Sequence, residues 1–143
     1  MPFWKIYHPK DVYTAHDKHQ MATAITAVYA PYMPKFYVGI IFEEVNENAF
    51  YIGGEPHGRF VRIAIDHIAR AMPSEEIATR FITMISTAIA PWIKDRGLEW
   101  ELHIDETPFM MWTVQGIFPP RQGTEDEARW IAENRPSPLV HPR

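Results

Sequence analysis

Apolar positions along this chain fall into two kinds of pattern, short runs or alternations and a spacing of three and four, and the two kinds take turns. Met1-Pro2-Phe3-Trp4-Lys5-Ile6-Tyr7 reads as an apolar strand opened by a proline, where a missing N–H costs nothing. Residues 36–44, which begin Phe-Tyr-Val-Gly-Ile-Ile-Phe, are almost wholly apolar and predict a strand covered on both faces. Residues 59–66 (RFVRIAID) alternate as a half-buried strand does, and 98–105 form another strand. Between the first two strands, Met21, Ala24, Ile25 and Val28 recur at helical spacing. That helix is capped by Thr14 or Asp17, runs to about Tyr29 and stops at Pro31. Between the last two, Pro73 and Ser74 open a second helix, Glu75 and Glu76 suit the positive end of its dipole, and Arg96-Gly97 closes it.

The same strand–helix–strand unit therefore occurs twice. Thr23, Ile25, Ala30 and Pro31 match Thr83, Ile85, Ala90 and Pro91, 60 residues further on, with Tyr32 opposite Trp92. Phe42-Glu43-Glu44 stands against Ile104-Asp105-Glu106, the extra two residues falling in a loop, where insertions are tolerated. Two βαβ units, about 2–45 and 59–107, each with a right-handed crossover, predict an α+β fold: a four-stranded, mainly mixed sheet with both helices on one face. Gly53-Gly54 makes a turn between short strands. The remainder, 108–143, adds a helix from about 125 to 134, with Thr124 and Glu127 at capping-box spacing, and an extended proline-rich tail that is loose or lies across a neighbouring subunit. One domain spans 1–143, since a chain of 143 residues buries a full core. The sheet face without helices, rich in Trp, Tyr and Ile, predicts self-association.

Composition narrows the partners. A net charge of −4 with no Lys/Arg cluster excludes a nucleic-acid footprint. No apolar run reaches 18 residues and no basic-then-apolar leader is present, so neither a membrane span nor a signal peptide is expected. The absence of cysteine removes thiolate chemistry and fits a reducing, cytoplasmic compartment. His16 and His19 share a helix face but lack a third ligand at a recognised spacing, so no metal and no cofactor are expected. One group carries candidate chemistry. Initiator methionine is usually trimmed before a small residue, which would leave Pro2 as a secondary amine; burial beside a cation would lower its pKa toward neutrality and suit it to general-base work.

Several local motifs, in order, carry a resemblance: the start at Pro2, Lys18-His19 with Ala24-Ile25-Thr26, Gly53-Gly54, Arg70 before the second helix, Glu106 with Pro108, and Gly116 with Pro120. Over residues 2–120 the chain resembles the tautomerase superfamily, in particular the cis-3-chloroacrylic acid dehalogenase group. The resemblance implies a homotrimer acting on a small carboxylic acid, with Pro2 as base and Arg70 holding the substrate carboxylate through its planar fork of donors. The family's other catalytic positions differ here. Tyr29 stands for the helical histidine, Met72 or Pro73 for the second arginine, His103 for the strand tyrosine, and Val114 beside Gln115 for the glutamate. Without that glutamate to activate water, proton transfer is favoured over hydrolytic dehalogenation, with Tyr29 or His103 bonding the developing enolate oxygen.

Three functions follow in order of preference. The first is a tautomerase acting on a small 2-oxo or unsaturated carboxylic acid, with 3-haloacrylate dehalogenase or hydratase activity as its enzymatic alternative. The second is a ligand-binding member of the fold that has lost its chemistry. The third is a dimeric ferredoxin-like barrel, which the equivalence of Ala30-Pro31 and Ala90-Pro91 argues against.

Overall fold

The computed structural model describes residues 1–140. Strands β1 (Pro2–Pro9), β2 (Gly39–Val45), β5 (Phe60–Ile68) and β6 (Glu99–Thr107) form one sheet in the order β2-β1-β5-β6. The pairs β1–β2 and β5–β6 are parallel, and the central pair β1–β5 is antiparallel, so each βαβ unit supplies one half of the sheet. Helices α1 (Ala15–Tyr29) and α2 (Glu75–Ile89) cross over on one face and touch each other. A hairpin, β3 (Tyr51–Ile52) and β4 (Glu55–Pro56), joins the units through Gly53 and Gly54, whose φ of 60° and 91° a two-residue turn of this hand requires. The C-terminal extension contributes α3 (Glu125–Glu133). Among the described residues no helix is long and apolar enough to cross a membrane.

Alternation decides which face is which. Trp4, Ile6, Val61, Ile63 and Ile65 point under the helices and are wholly buried, each stabilising the fold by roughly 1.5–3 kcal/mol. They meet Met21, Ile25 and Tyr29 from α1 and Ile85 and Ile89 from α2, the buried residues at helical spacing. Thr14 caps α1 in a reciprocal box with Asp17, and Ser74 caps α2. The second helix stops at Ile89, before Pro91, and the chain reaches Gly97 through two 3₁₀ turns; this is earlier than the Arg96-Gly97 end expected from the sequence.

Three expectations change. Residues 35–37 form a 3₁₀ turn and the strand begins at Gly39; β2 is an edge strand whose apolar residues are half-buried, because the βαβ units meet through β1 and β5. The face turned away from α1 and α2 is not rich in Trp and Ile, since Trp4, Trp100 and most of the sheet's isoleucines lie inside and Ile41 faces out beside Lys5. It carries Phe3 and Tyr7 among charges, with Lys5 paired to Asp66 at 2.9 Å and Arg62 to Glu101 at 2.7 Å. The tail folds back on its own helix: Trp130 Nε1 donates to Ser137 O at 2.9 Å, and Val140 N donates to Asp126 Oδ1 at 3.1 Å. Trp130 in turn seats α3 on the core, its ring 5.9 Å from that of Phe36 and 6.2 Å from that of Tyr37.

Candidate active site

Pro2 enters β1 directly opposite His67 of β5, and both side chains are buried beneath the helices. Met1 extends this ladder by one step, its amino group donating to Ile68 O at 2.5 Å and its carbonyl accepting from Ile68 N at 2.8 Å. Burial, and then the positive charge of Arg70, lower the Met1 amine from its ordinary 8.0 to about 5. Arg70 is aimed here by a sharp turn after β5, in which Ala69 takes the left-handed conformation (φ 75°) and donates its N–H to Thr107 O at 2.9 Å. A non-glycine residue in that region carries strain, which the ladder holds in place.

Two cavities meet at this point. The larger, about 650 Å³, lies between the ends of α1 and α2; Pro2, Tyr29, His67, Phe81 and Met84 are among its walls. The smaller, about 330 Å³, is walled by Tyr37, Phe109, Trp112, Arg121 and Glu127. Met1, Arg70 and Gln122 line both. Arg70 is not idle between them: it donates to Tyr32 O at 2.8 Å and pairs with Glu127 Oε1 at 2.5 Å. Glu127 is buried, and its other oxygen accepts from Gly123 N at 2.7 Å.

Tyr29 sits at the end of α1 with its hydroxyl enclosed. It accepts from Trp4 Nε1 at 3.2 Å and lies 3.0 Å from His67 Nε2. Burial raises its pKa, the Trp4 N–H opposing. His67 moves the other way, to about 4, through burial and the charge of the terminal amine, with Glu106 opposing; it is neutral at pH 7. The large cavity thus combines a neutral imidazole and a protonated phenol beside the N-terminal strand, and an arginine at its edge. Such a set can move protons and hold an acid group.

Of the residues singled out by sequence, Pro2, Tyr29 and Arg70 come together around the larger cavity. His103 does not join them within the protomer. It faces Ala64 on the side of the sheet without α1 and α2, with Nδ1 2.8 Å from Arg62 and Nε2 3.2 Å from Asp105. Alternation with Leu102 and Ile104, which pack inward, puts it there. Trp112 both walls the smaller cavity and packs 4.9 Å from the Tyr37 ring. His16 and His19 are exposed on α1, and among the described residues no cluster of three or more His, Asp or Glu could hold a metal ion.

Three site residues were not anticipated. His67 continues the inward alternation of Val61, Ile63 and Ile65, a signal missed by ending the strand at Asp66. Glu127 reads in sequence as a helix cap; its carboxylate instead bonds one residue earlier, to Gly123, and reaches Arg70. Tyr37 carries no sequence signal beyond its apolar run.

Residues 1–135 match the family model described as "Putative oxalocrotonate tautomerase enzyme". Native RhCC from Rhodococcus jostii RHA1 is 42% identical, with a TM-score of 0.93 over 96% of this chain and 99% of that one. N1, a member of the cis-3-chloroacrylic acid dehalogenase family, shares 18% identity and a TM-score of 0.71 over 90% of each chain. A fused 4-OT, F6, solved as an asymmetric trimer, shares 16% identity and a TM-score of 0.63 over 81% of this chain and 94% of that one. At these identities the last two show the fold alone. No curated protein matches the sequence.

Proposed function

The chain belongs to the tautomerase family, and from that premise we propose that it moves a proton within a small 2-oxo or unsaturated carboxylic acid, with Pro2 as the base once Met1 is trimmed. One observation carries the reading: Met1 lines both cavities, so its removal opens them to each other at the Pro2 nitrogen. Burial and the charge of Arg70, which lower the Met1 amine, are the forces that would favour the neutral form of the Pro2 amine once Met1 is gone.

The reaction is an enol–keto exchange. The Pro2 nitrogen takes the proton of the enol hydroxyl and delivers it to C3, forming the ketone; in reverse it takes a C3 proton and hands it to the enolate oxygen. Arg70 holds the carboxylate, and the Tyr29 hydroxyl, kept protonated and backed by His67, faces the developing oxyanion. Hydration or dehalogenation ranks second. Among the residues lining the two cavities Glu127 is the carboxylate, but both its oxygens are engaged, by Arg70 and by Gly123 N, which leaves it poorly placed to activate water. We extend the proposal to a homotrimer, in which Phe3 and Tyr7 on the open sheet face would be covered by neighbours; light scattering on a sizing column reads this directly.

Intact mass comes first, and retained Met1 overturns the mechanism. Ultraviolet decay of phenylenolpyruvate then measures turnover. Pro2→Ala is expected to lower kcat by at least a hundredfold; unchanged turnover would sink the assignment of the base.

A further inference from the structure

Arg70 stands on the connection between β5 and α2, outside both elements, so its long side chain keeps one place only if other groups hold it there. Two groups do. Nη1 donates to Tyr32 O at 2.8 Å, just past the end of α1, and Nη2 pairs with Glu127 Oε1 at 2.5 Å, in the first turn of α3. One tie would leave the guanidinium free to swivel, whereas ties on two different nitrogens fix the plane of a rigid fork. The rest of it stays open: the Arg70 side chain is 24% exposed and lines both cavities.

Glu127 is the fixed member of the pair. Its side chain is 9% exposed, Oε2 accepts from Gly123 N at 2.7 Å, and its own N–H donates to the Thr124 hydroxyl at 3.3 Å. Its helix is fastened further on, by the wholly buried Trp130 and by Asn134, whose Oδ1 accepts from Phe36 N at 3.0 Å. Stability is a weak reason to bury such a carboxylate, because desolvation offsets much of the attraction within the pair and apolar side chains of similar size would serve as well. Placement is a better one. A rigid line runs from the aromatic cluster through α3 to Glu127 and on to the guanidinium, and that guanidinium is the charge felt by the amine that begins the chain.

We propose that Glu127 is a positioning residue of this active site: the C-terminal extension carries in a carboxylate that sets the place and plane of the Arg70 guanidinium, and acts on the reaction only through it. The extension is then part of the working site rather than an appendage to the tandem unit. This rests on the proton-transfer reading for what Arg70 does to the substrate, and on the geometry alone for what Glu127 does to Arg70.

The test uses protein lacking Met1 and the decay of phenylenolpyruvate, on variants shown to be folded by circular dichroism. Glu127→Asp keeps a carboxylate at the same helix start and withdraws it from Arg70 by one methylene. It is expected to lower kcat/KM about tenfold to a hundredfold, mostly through KM, as a misplacement of about 1 Å does. In an Arg70→Met background the same substitution is expected to change kcat/KM by less than about twofold, because nothing is left to position. An equal loss in both backgrounds overturns the proposal, and so does an unchanged kcat/KM in Glu127→Asp alone. NMR gives a readout that needs no turnover. The Arg70 Nη signals, assigned by their loss in Arg70→Met, are expected to be resolved from one another in the native protein and merged in Glu127→Asp. Merged signals in the native protein, or resolved ones in both, overturn it. The two readings fail separately. Full turnover by Pro2→Ala removes the base and leaves the Arg70 signals as they are; Pro2-dependent turnover with merged native signals keeps the base and removes the role of Glu127.

Discussion

Removing the charge of Arg70 separates the two forces on the nitrogen that begins β1. The Met1 amine falls from 8.0 to about 5, a lowering of about 3 pH units or roughly 4 kcal/mol against its charged form. Burial is the larger cause and Arg70 the smaller, so Arg70 accounts for less than half, at most about 1.5 units or roughly 2 kcal/mol. Arg70→Met alone would also strand the Glu127 carboxylate and push the amine upward for a second reason. The cleaner perturbation is therefore Arg70→Met with Glu127→Gln, which removes both members of the pair and keeps side-chain lengths similar. In protein lacking Met1, labelled with ¹⁵N-proline, the Pro2 nitrogen is titrated by NMR. The native protein is expected to titrate well below 8, and the double variant no more than about 1.5 units higher. The acid limb of kcat/KM should move by the same amount. A variant that returned to an ordinary amine value would show that charge, not burial, sets the basicity. A native protein already titrating there would refute the whole line of reasoning.

Other perturbations test the surroundings of the site. His67 holds fewer protons when folded than when unfolded between about 4 and 6.5, so its contribution is fully present above pH 6.5 and is lost as pH falls toward 4, by roughly 3 kcal/mol. His67→Gln is expected to flatten the dependence of the urea midpoint on pH across that window, and an unchanged slope would show that another group causes it. Glu127→Ala leaves Arg70 beside an empty partner and is expected to cost about 3 kcal/mol, or a melting temperature lower by about 10 °C in a scanning measurement; a loss under 1 kcal/mol would mean the pair does not hold the loop. Trp130→Ala removes the side chain that seats α3, with a cost of about 3–5 kcal/mol in urea unfolding, and a single transition is expected because the extension shares the main core. Two transitions would show that the extension folds separately.

The scaffold was legible because local and global signals agree. Period-two strands, helices with caps at Thr14 and Ser74, and the duplicated Ala-Pro helix ends all specify the same tandem unit, and one register satisfies them all. Edge positions were less legible. The apolar run at 36–44 looked doubly covered, yet an edge strand buries such residues only halfway, and which strand becomes an edge depends on the antiparallel meeting of β1 and β5, a contact between segments more than fifty residues apart. Glu127 and Tyr37 were illegible for a related reason. Each reaches the site from an element brought there by Trp130 and the aromatic cluster around it, and nothing in the spacing of a helix cap tells where its carboxylate will end.

His67 and His103 are a different case, since alternation alone distinguishes them. On β5, Val61, Ile63 and Ile65 face the helices, so the next odd position, His67, must face them too. On β6 the inward set is Trp100, Leu102 and Ile104, so His103 must face away. A one-residue shift of β5 would turn His67 outward and expose Ile63 and Ile65, and a one-residue shift of β6 would turn His103 inward and expose Ile104, which is why the pairing permits no compromise. The imidazole beside Pro2 is thus fixed by the same burial that holds the sheet together, and Tyr29, the residue standing where a histidine was expected, meets that imidazole across 3.0 Å from the helix opposite. The ring nitrogen beside Pro2 therefore comes from β5 and not from α1.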